Sequence, residues 1–122
     1  MNKRNYGTAG ENIAVDYLVK NGFTILERNY RPGKLGEIDI VAQENEYICF
    51  IEVKTRTSRL FGTPAEAVGH AKREKLRRLA WTYIKHRNLG ERNMRFDVIE
   101  VTGSISGGIF IPSQINLIRS AF

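Results

Sequence analysis

Two short stretches carry acids and a base at spacings that could do chemistry. "GEIDI" (residues 36–40) holds Glu37 and Asp39, and "FIEVKTR" (residues 50–56) holds Glu52 and Lys54 with only Val53 between them. Tyr47 to Ile51 is apolar enough to be a buried strand, and on a strand residues two apart point to the same face. Glu52 and Lys54 therefore set a carboxylate beside an ammonium at the end of a core strand. Glu37–Gln43 reads as a second strand, joined to Tyr47–Arg56 by the polar turn "ENE", most simply as a hairpin. That turn puts Asp39 opposite Phe50 or opposite Glu52, depending on which two residues form the tip. Either register aims Asp39 to the same side as Glu52 and Lys54, whereas a three-residue tip would break the parity.

Two carboxylates this close repel, and one takes up a proton unless a cation intervenes. Hard oxygen ligands at strand ends suit Mg2+, which keeps several waters, and the main-chain carbonyl of Val53 offers another oxygen. Lys54 would then orient an attacking water or neutralise charge building on a phosphate. The set reads as a phosphodiester-hydrolysis site. The competing reading is an exposed Glu52–Lys54 ion pair worth about 1 kcal/mol or less, with Asp39 bonding a loop amide. Glu37, at a strand entrance after Gly36, reads as structural or as support for the site.

Five strands and two helices position these residues. A helix is expected from Thr8 to before Gly22, with Ile13, Ala14, Tyr17 and Leu18 on one face. Thr8-Ala9-Gly10-Glu11 is a capping box, which would tie Glu11 to the helix start. Phe23–Tyr30 reads as a strand, and "RPGKLG" as a turn segment before the hairpin. Thr63-Pro64-Ala65-Glu66 has the cap, proline and glutamate of a helix start, and the helix runs to about Arg87. Gly69 is a candidate break, and Ala67, Val68, Ala71, Leu76, Leu79, Ala80, Tyr83 and Ile84 form the inner side. Met94–Val101 is a strand, "GSISGG" a turn, and "IFIP" a short last strand. The order is α-β-β-β-α-β with a small β appendage, an α/β fold with a mixed central sheet flanked by helices.

At 122 residues the chain is long enough for one domain spanning residues 1–122, with a core that needs no disulfide. Its single cysteine, Cys49, lies inside an apolar run and reads as inert packing in a reducing compartment. No apolar stretch resembles a secretory signal or approaches a membrane span, so a cytoplasmic protein with no membrane partner is expected. The net charge of +6 favours a polyanionic partner, nucleic acid first. The second helix carries much of the excess, and its Arg77, Arg78 and Arg87 read as a solvated outer face. Lys72, near its start, reads as facing the site. Arg28 and Arg31 before the hairpin, Lys34 in its loop, and Arg56 and Arg59 after Lys54 read as phosphate contacts that position a backbone without reading bases. His70, His86, Trp81 and Tyr83 read as surface or packing residues, with Trp81 and Tyr83 expected in the core.

"GEIDI" followed by "FIEVKTR" resembles the motif pair of the PD-(D/E)XK nuclease superfamily, the restriction-endonuclease-like fold, whose core follows the same α-β-β-β-α-β order. The chain is more closely similar to the YraN family of small bacterial endonuclease-like proteins, themselves similar to archaeal Holliday-junction resolvases. "GTAGENIAVDYLVKNGF", "RNYRPGKLGEID", "TPAEAVGHAKREKL" and "RFDVIEV" carry that likeness along nearly the whole chain. The resemblance implies metal-binding acids at Asp39 and Glu52, a catalytic lysine at Lys54 and a helix-borne acid of the site at Glu11. It implies Mg2+ or Mn2+ as cofactor. It also implies DNA as substrate, with branched or flexible duplex favoured. The proline of the superfamily name is Ile38 here. Cutting two strands of a junction would call for a homodimer. The expected activity is a divalent-metal-dependent DNA endonuclease. Its competitors are a non-catalytic or partner-gated nucleic-acid-binding protein, and an adaptor whose basic face meets another protein or an anionic membrane.

Overall fold

The computed structural model describes residues 3–57 and 69–122, with side chains from residue 7 onward. In chain order its elements are α1 (Lys3–Lys20), β1 (Thr24–Tyr30), β2 (Ile38–Glu44), β3 (Tyr47–Arg56), α2 (His70–His86), β4 (Asn93–Ser106) and β5 (Ile109–Ile118). The five strands form one sheet in the order β1-β2-β3-β4-β5. β3 and β4 run parallel and every other neighbouring pair is antiparallel. A parallel pair needs a crossover, and the chain between β3 and β4 contains α2. The expected α-β-β-β-α-β, restriction-endonuclease-like core is therefore present, a mixed α/β sheet with a fifth strand added.

Alternation along the middle strands decides which helix each residue meets. Ile40, Ala42, Cys49, Ile51, Ile99 and Val101 pack with Ala14 and Leu18 of α1. Val41, Ile48, Phe50 and Val98 pack with Leu76, Leu79, Tyr83 and Ile84 of α2. Cys49 is fully buried, and burial first of all, with the negative charge of Asp97 adding to it, pushes its thiol up to about 12. The β2–β3 hairpin turns through Asn45 and Glu46, with Glu44 opposite Tyr47 and Asn45 in the left-handed region at φ 55°. That two-residue tip fixes the parity on which the site depends.

Four expectations about elements are corrected. α1 begins at Lys3, so Thr8 lies inside the helix, and the capping box expected at Thr8–Glu11 does not mark its start. A threonine caps only where the helix begins, and nothing from Lys3 to Gly7 is a proline that would stop it. β4 and β5 are longer than expected because only Gly107 and Gly108, at φ 57° and 77°, make the turn; the flanking "SIS" and "IFI" extend the strands. Trp81 is 59% exposed rather than core, whereas Tyr83 is buried as expected. At about 100° per residue, Leu76, Leu79, Ala80, Tyr83 and Ile84 fill the inward arc and leave Trp81 pointing away. Ala71 is likewise exposed, on the first turn of α2, where it overhangs a hollow beside the sheet. The second helix's expected start at Thr63–Glu66, with Ala67 and Val68, lies outside the described residues.

Candidate active site

The hairpin register, continued one place beyond Ile40 opposite Ile51, sets Asp39 opposite Glu52. Asp39 Oδ2 accepts a hydrogen bond from the Val53 N–H at 2.8 Å, which locks the carboxyl against β3. Asp39 and Glu52 both line two hollows that meet at the end of the sheet. One, of about 460 Å³, opens under α2 and is walled by Glu37, Lys72 and Lys75. The other, of about 580 Å³, opens under α1 and is walled by Glu11, Val53, Thr55 and Phe110.

The cations come from two elements. Lys54 Nζ lies 3.5 Å from Glu52 Oε1, and Lys72 Nζ, reaching down from α2, lies 2.5 Å from the same oxygen. The expectation that Lys72 faces the site is met. Burial pulls Lys54 below the ordinary lysine range; Glu52 opposes that pull, and the nearby charge of Lys72 reinforces it. For Lys72 burial acts downward as well, but the hydrogen bond and charge of Glu52 outweigh it and raise the ammonium.

The acids repel one another. Asp39 is pushed up to about 7, chiefly by burial and then by Glu52, with Glu11 and Glu37 adding to it against the Val53 hydrogen bond. Glu11 is raised by burial and by Glu37 and Glu52, while Arg28, 3.9 Å away, pulls it down. The Asn29 amide, turned so that its nitrogen faces the acids, donates to Glu11 Oε1 at 3.1 Å and to Glu37 Oε1 at 2.7 Å. Asn29 can do this because it sits at φ 53°, a conformation asparagine tolerates better than most residues. Glu37 therefore belongs to the acid group itself, more closely than its place at a strand entrance suggested. Asn29, on the neighbouring strand, carried no motif that could have marked it.

Glu11 reaches the group because α1 crosses β3 at very short range. A Cβ on Gly10 would lie 1.9 Å from Thr55 Oγ1, so only glycine permits this approach. Among the described residues, no three His, Cys, Asp or Glu side chains form a ready metal cage. That is compatible with Mg2+, which is commonly held by one or two carboxylates together with substrate phosphates. The donors are all hard oxygens, and burial, with the charge of Glu52 behind it, raises the Asp39 carboxyl in a half-dry hollow where a bound cation would hold it ionised. The residues fit such an ion.

The sequence model described as "Uncharacterised protein family UPF0102" matches residues 10–101. The chain belongs to the UPF0102 family. A UPF0102 protein of Acetivibrio thermocellus is 46% identical over 121 residues, covering 99% of this chain and 93% of the relative. One from Caldicellulosiruptor saccharolyticus is 44% identical over 122 residues, the full length of both. One from Moorella thermoacetica is 54% identical over 101 residues, 83% of each chain. The span matched by the UPF0102 model contains Glu11, Asp39, Glu52 and Lys54.

The expected phosphate contacts separate on inspection. Arg28 donates to Asn12 Oδ1 at 2.7 Å beside Glu11, and Arg31 pairs with Glu37 at 3.0 Å, so both stand at the rim of the acid group. Lys34 is exposed in the loop before β2. Arg56 departs from the expectation of a free phosphate arm: its side chain is only 14% exposed, and its Nε lies 3.3 Å from Glu100 Oε2. Glu100 is fully buried on β4, and a buried carboxylate needs a cation more than a surface phosphate does. Arg59 lies outside the described residues. Arg56→Ala in this UPF0102 chain should lower unfolding free energy by about 2 kcal/mol in urea denaturation. A change below about 0.5 kcal/mol would show that Glu100 does not depend on it.

The described residues include no helix long and apolar enough to cross a membrane.

Proposed function

We propose that this chain is a divalent-metal-dependent DNA endonuclease that hydrolyses phosphodiester bonds. The observation that carries the reading is the meeting of Asp39, Glu52 and Lys54 at one end of the sheet, through a hairpin whose two-residue tip fixes their common side. The net charge of +6 and the rim arginines fit a polyanionic substrate.

In this reading Asp39, Glu52 and the Val53 carbonyl hold Mg2+ or Mn2+, with Glu11 supporting a second ion or a water. Such an ion, when bound, polarises the phosphate and makes its own water more acidic. Asp39 is anchored by the Val53 N–H and so enters the reaction already oriented. Lys54, its ammonium weakened by burial, holds a water or a non-bridging phosphate oxygen at its Nζ. Arg28, Arg31 and Lys34 lie along the backbone of the bound strand. Branched or flexible DNA is the proposed substrate and a homodimer the proposed assembly, both by likeness to resolvases.

The test is incubation with linear, single-stranded and four-way-junction DNA in Mg2+, Mn2+ or EDTA. Cleavage should require the metal, and Lys54→Ala should reduce it by about a hundredfold. Activity that survives in EDTA or is unchanged by Lys54→Ala would sink the proposal.

One observation favours a second reading, a partner-gated site that binds DNA without cutting it unaided. Lys72 already sits on the Glu52 oxygen that an ion would need. In that case DNA binding, weakening steeply with added salt, would appear without cleavage until Lys72 is drawn away.

A further inference from the structure

Two ammoniums share one oxygen of Glu52. Lys54 Nζ stands 3.5 Å from Glu52 Oε1 and Lys72 Nζ 2.5 Å from it. A magnesium-like ion bonds a carboxylate oxygen at about 2.0–2.1 Å, so such an ion and Lys72 would press two like charges onto the same atom. One lysine must yield, and the chain decides which. Lys54 is rooted in β3 with its side chain 23% exposed, whereas Lys72 reaches down from α2 on a flexible stem and is 44% exposed. The start of α2 does little to hold Lys72 where it is. Gly69 caps the helix without a side-chain hydrogen bond, the first turn carries no acid, and the first turn of a helix repels a cation. The hold on Lys72 comes from Glu52, across the gap to β3.

A place for a released Lys72 lies beside it. The hollow of about 460 Å³ under α2 is walled by both Lys72 and Lys75, which are three residues apart and so neighbours on one helix face. Lys75 is already laid along that wall. A Cβ on Gly36, at φ 140°, would lie 2.9 Å from Lys75 Cε, so the glycine leaves room for the lysine stem. Glu37, Asp39 and Glu52 line the same hollow, and Glu52 already engages Lys72. A phosphate entering there meets a surplus of negative charge. With a divalent cation against Asp39 and Glu52 the balance reverses, and Lys72 is free to join Lys75 as a cradle of two ammoniums.

We propose that Lys72 is a tethered cation that guards Glu52 until an ion binds, then moves into the hollow and, with Lys75, holds a phosphate of the DNA strand. The inference rests on the nuclease reading of the site and adds its order of assembly: the metal frees the lysine, and the lysine tightens the hold on DNA. No further protein is needed, in contrast to a partner-gated site. By linkage, DNA must strengthen the hold on the metal by the same factor. The exchange also keeps the buried acids compensated, because Glu52 passes from one cation to another without standing bare beside Asp39.

The test uses the full chain in EDTA at low salt, with fluorescence anisotropy reading its affinity for a labelled duplex. Glu52→Gln releases Lys72 without a metal, so this variant should bind the duplex about tenfold more tightly than the unaltered protein. Lys72→Met should then cost about tenfold in the Glu52→Gln background but less than about twofold in the unaltered one, where Glu52 already holds the ammonium. Equal loss in the two backgrounds would make Lys72 an ordinary phosphate contact, and loss in neither would leave it a structural ion pair; either result overturns the exchange. Melting curves taken alongside exclude unfolding as the cause of a loss. A second arm counts free Mn2+ by electron paramagnetic resonance without DNA. There Lys72→Met should hold the ion about tenfold more tightly than the unaltered protein, and no tightening would overturn the displacement. Failure of these arms with DNA binding intact leaves the nuclease reading standing. Failure of every variant to bind DNA would overturn that reading and the exchange with it.

Discussion

Asp39→Asn is expected to remove metal-dependent cleavage, by about a thousandfold or more, and at the same time to make the metal-free protein harder to melt at pH 8. The two effects share a cause. In the folded chain burial, followed by the charge of Glu52, pushes Asp39 up from 3.8 to about 7. Between those values the folded state holds a proton that the unfolded state has released, so stability falls as pH rises from about 4 to about 7 and levels off above. At 1.36 kcal/mol per pH unit, the interval corresponds to roughly 4 kcal/mol as an upper bound. Relaxation and water entry reduce it, and about 2 kcal/mol is the working figure. Asparagine keeps an oxygen for the Val53 N–H and removes the charge. Its melting temperature in EDTA should exceed that of the unaltered protein by about 5–10 °C at pH 8 and by less at pH 5. Adding Mg2+ should stabilise the unaltered protein more at pH 8 than at pH 6, since the ion must displace the Asp39 proton, and should leave D39N unmoved. A D39N variant that melts lower, or that gains equally at both pH values, would show that these acids do not crowd one another.

Gly10→Val should lower unfolding free energy by about 3–4 kcal/mol. The overlap with Thr55 Oγ1 at 1.9 Å can be eased by rotation about χ1, which carries Cγ2 with it, but Thr55 Cβ at 3.0 Å is fixed to the backbone and cannot turn aside. Alanine meets the same wall with a better helix propensity than glycine, so Gly10→Ala should cost only about 1–2 kcal/mol. Valine adds two methyls and gains little in propensity. Relief of the clash lifts α1 away from β3 and takes Glu11 with it. Urea denaturation reads the stability, and a Glu11→Gln comparison reads the site: lifted α1 and E11Q should weaken metal binding alike. Gly10→Val melting within about 2 °C of the unaltered protein would mean that α1 approaches β3 less closely than described.

The centre of the site was readable from residues alone because a strand has a period of two. Once Asn45 and Glu46 make the turn, Asp39, Glu52 and Lys54 have no other side to occupy. What escaped the sequence depends on longer-range geometry. Lys72 could be suspected from its place near a helix start, but Asn29 needs a left-handed backbone position that no pattern announces. Arg56 read as a phosphate arm because it follows Lys54 beside the acidic centre; only the parallel pairing of β3 with β4 brings Glu100 within reach of it. The capping motif at Thr8 was misleading for a related reason, since a local motif cannot report that the helix has already begun. Trp81 was assigned by hydrophobicity, and the helical arc around Leu76, Leu79 and Tyr83 was the better guide. The full length of the β4–β5 hairpin was hidden by its glycines and serines, which read as a turn until the strand pairing is seen.

The sole cysteine gives the molecule an internal clock. It is the thiolate that attacks labelling reagents, and Cys49 is sealed in β3 with its ionisation pushed up to about 12. Any labelling of the native chain must therefore wait for the middle of the sheet to open, and its rate counts those openings without an added probe. An ion tied to Asp39 on β2 and Glu52 on β3 would staple the two strands whose parting exposes the sulfur, so labelling should slow when Mg2+ is present.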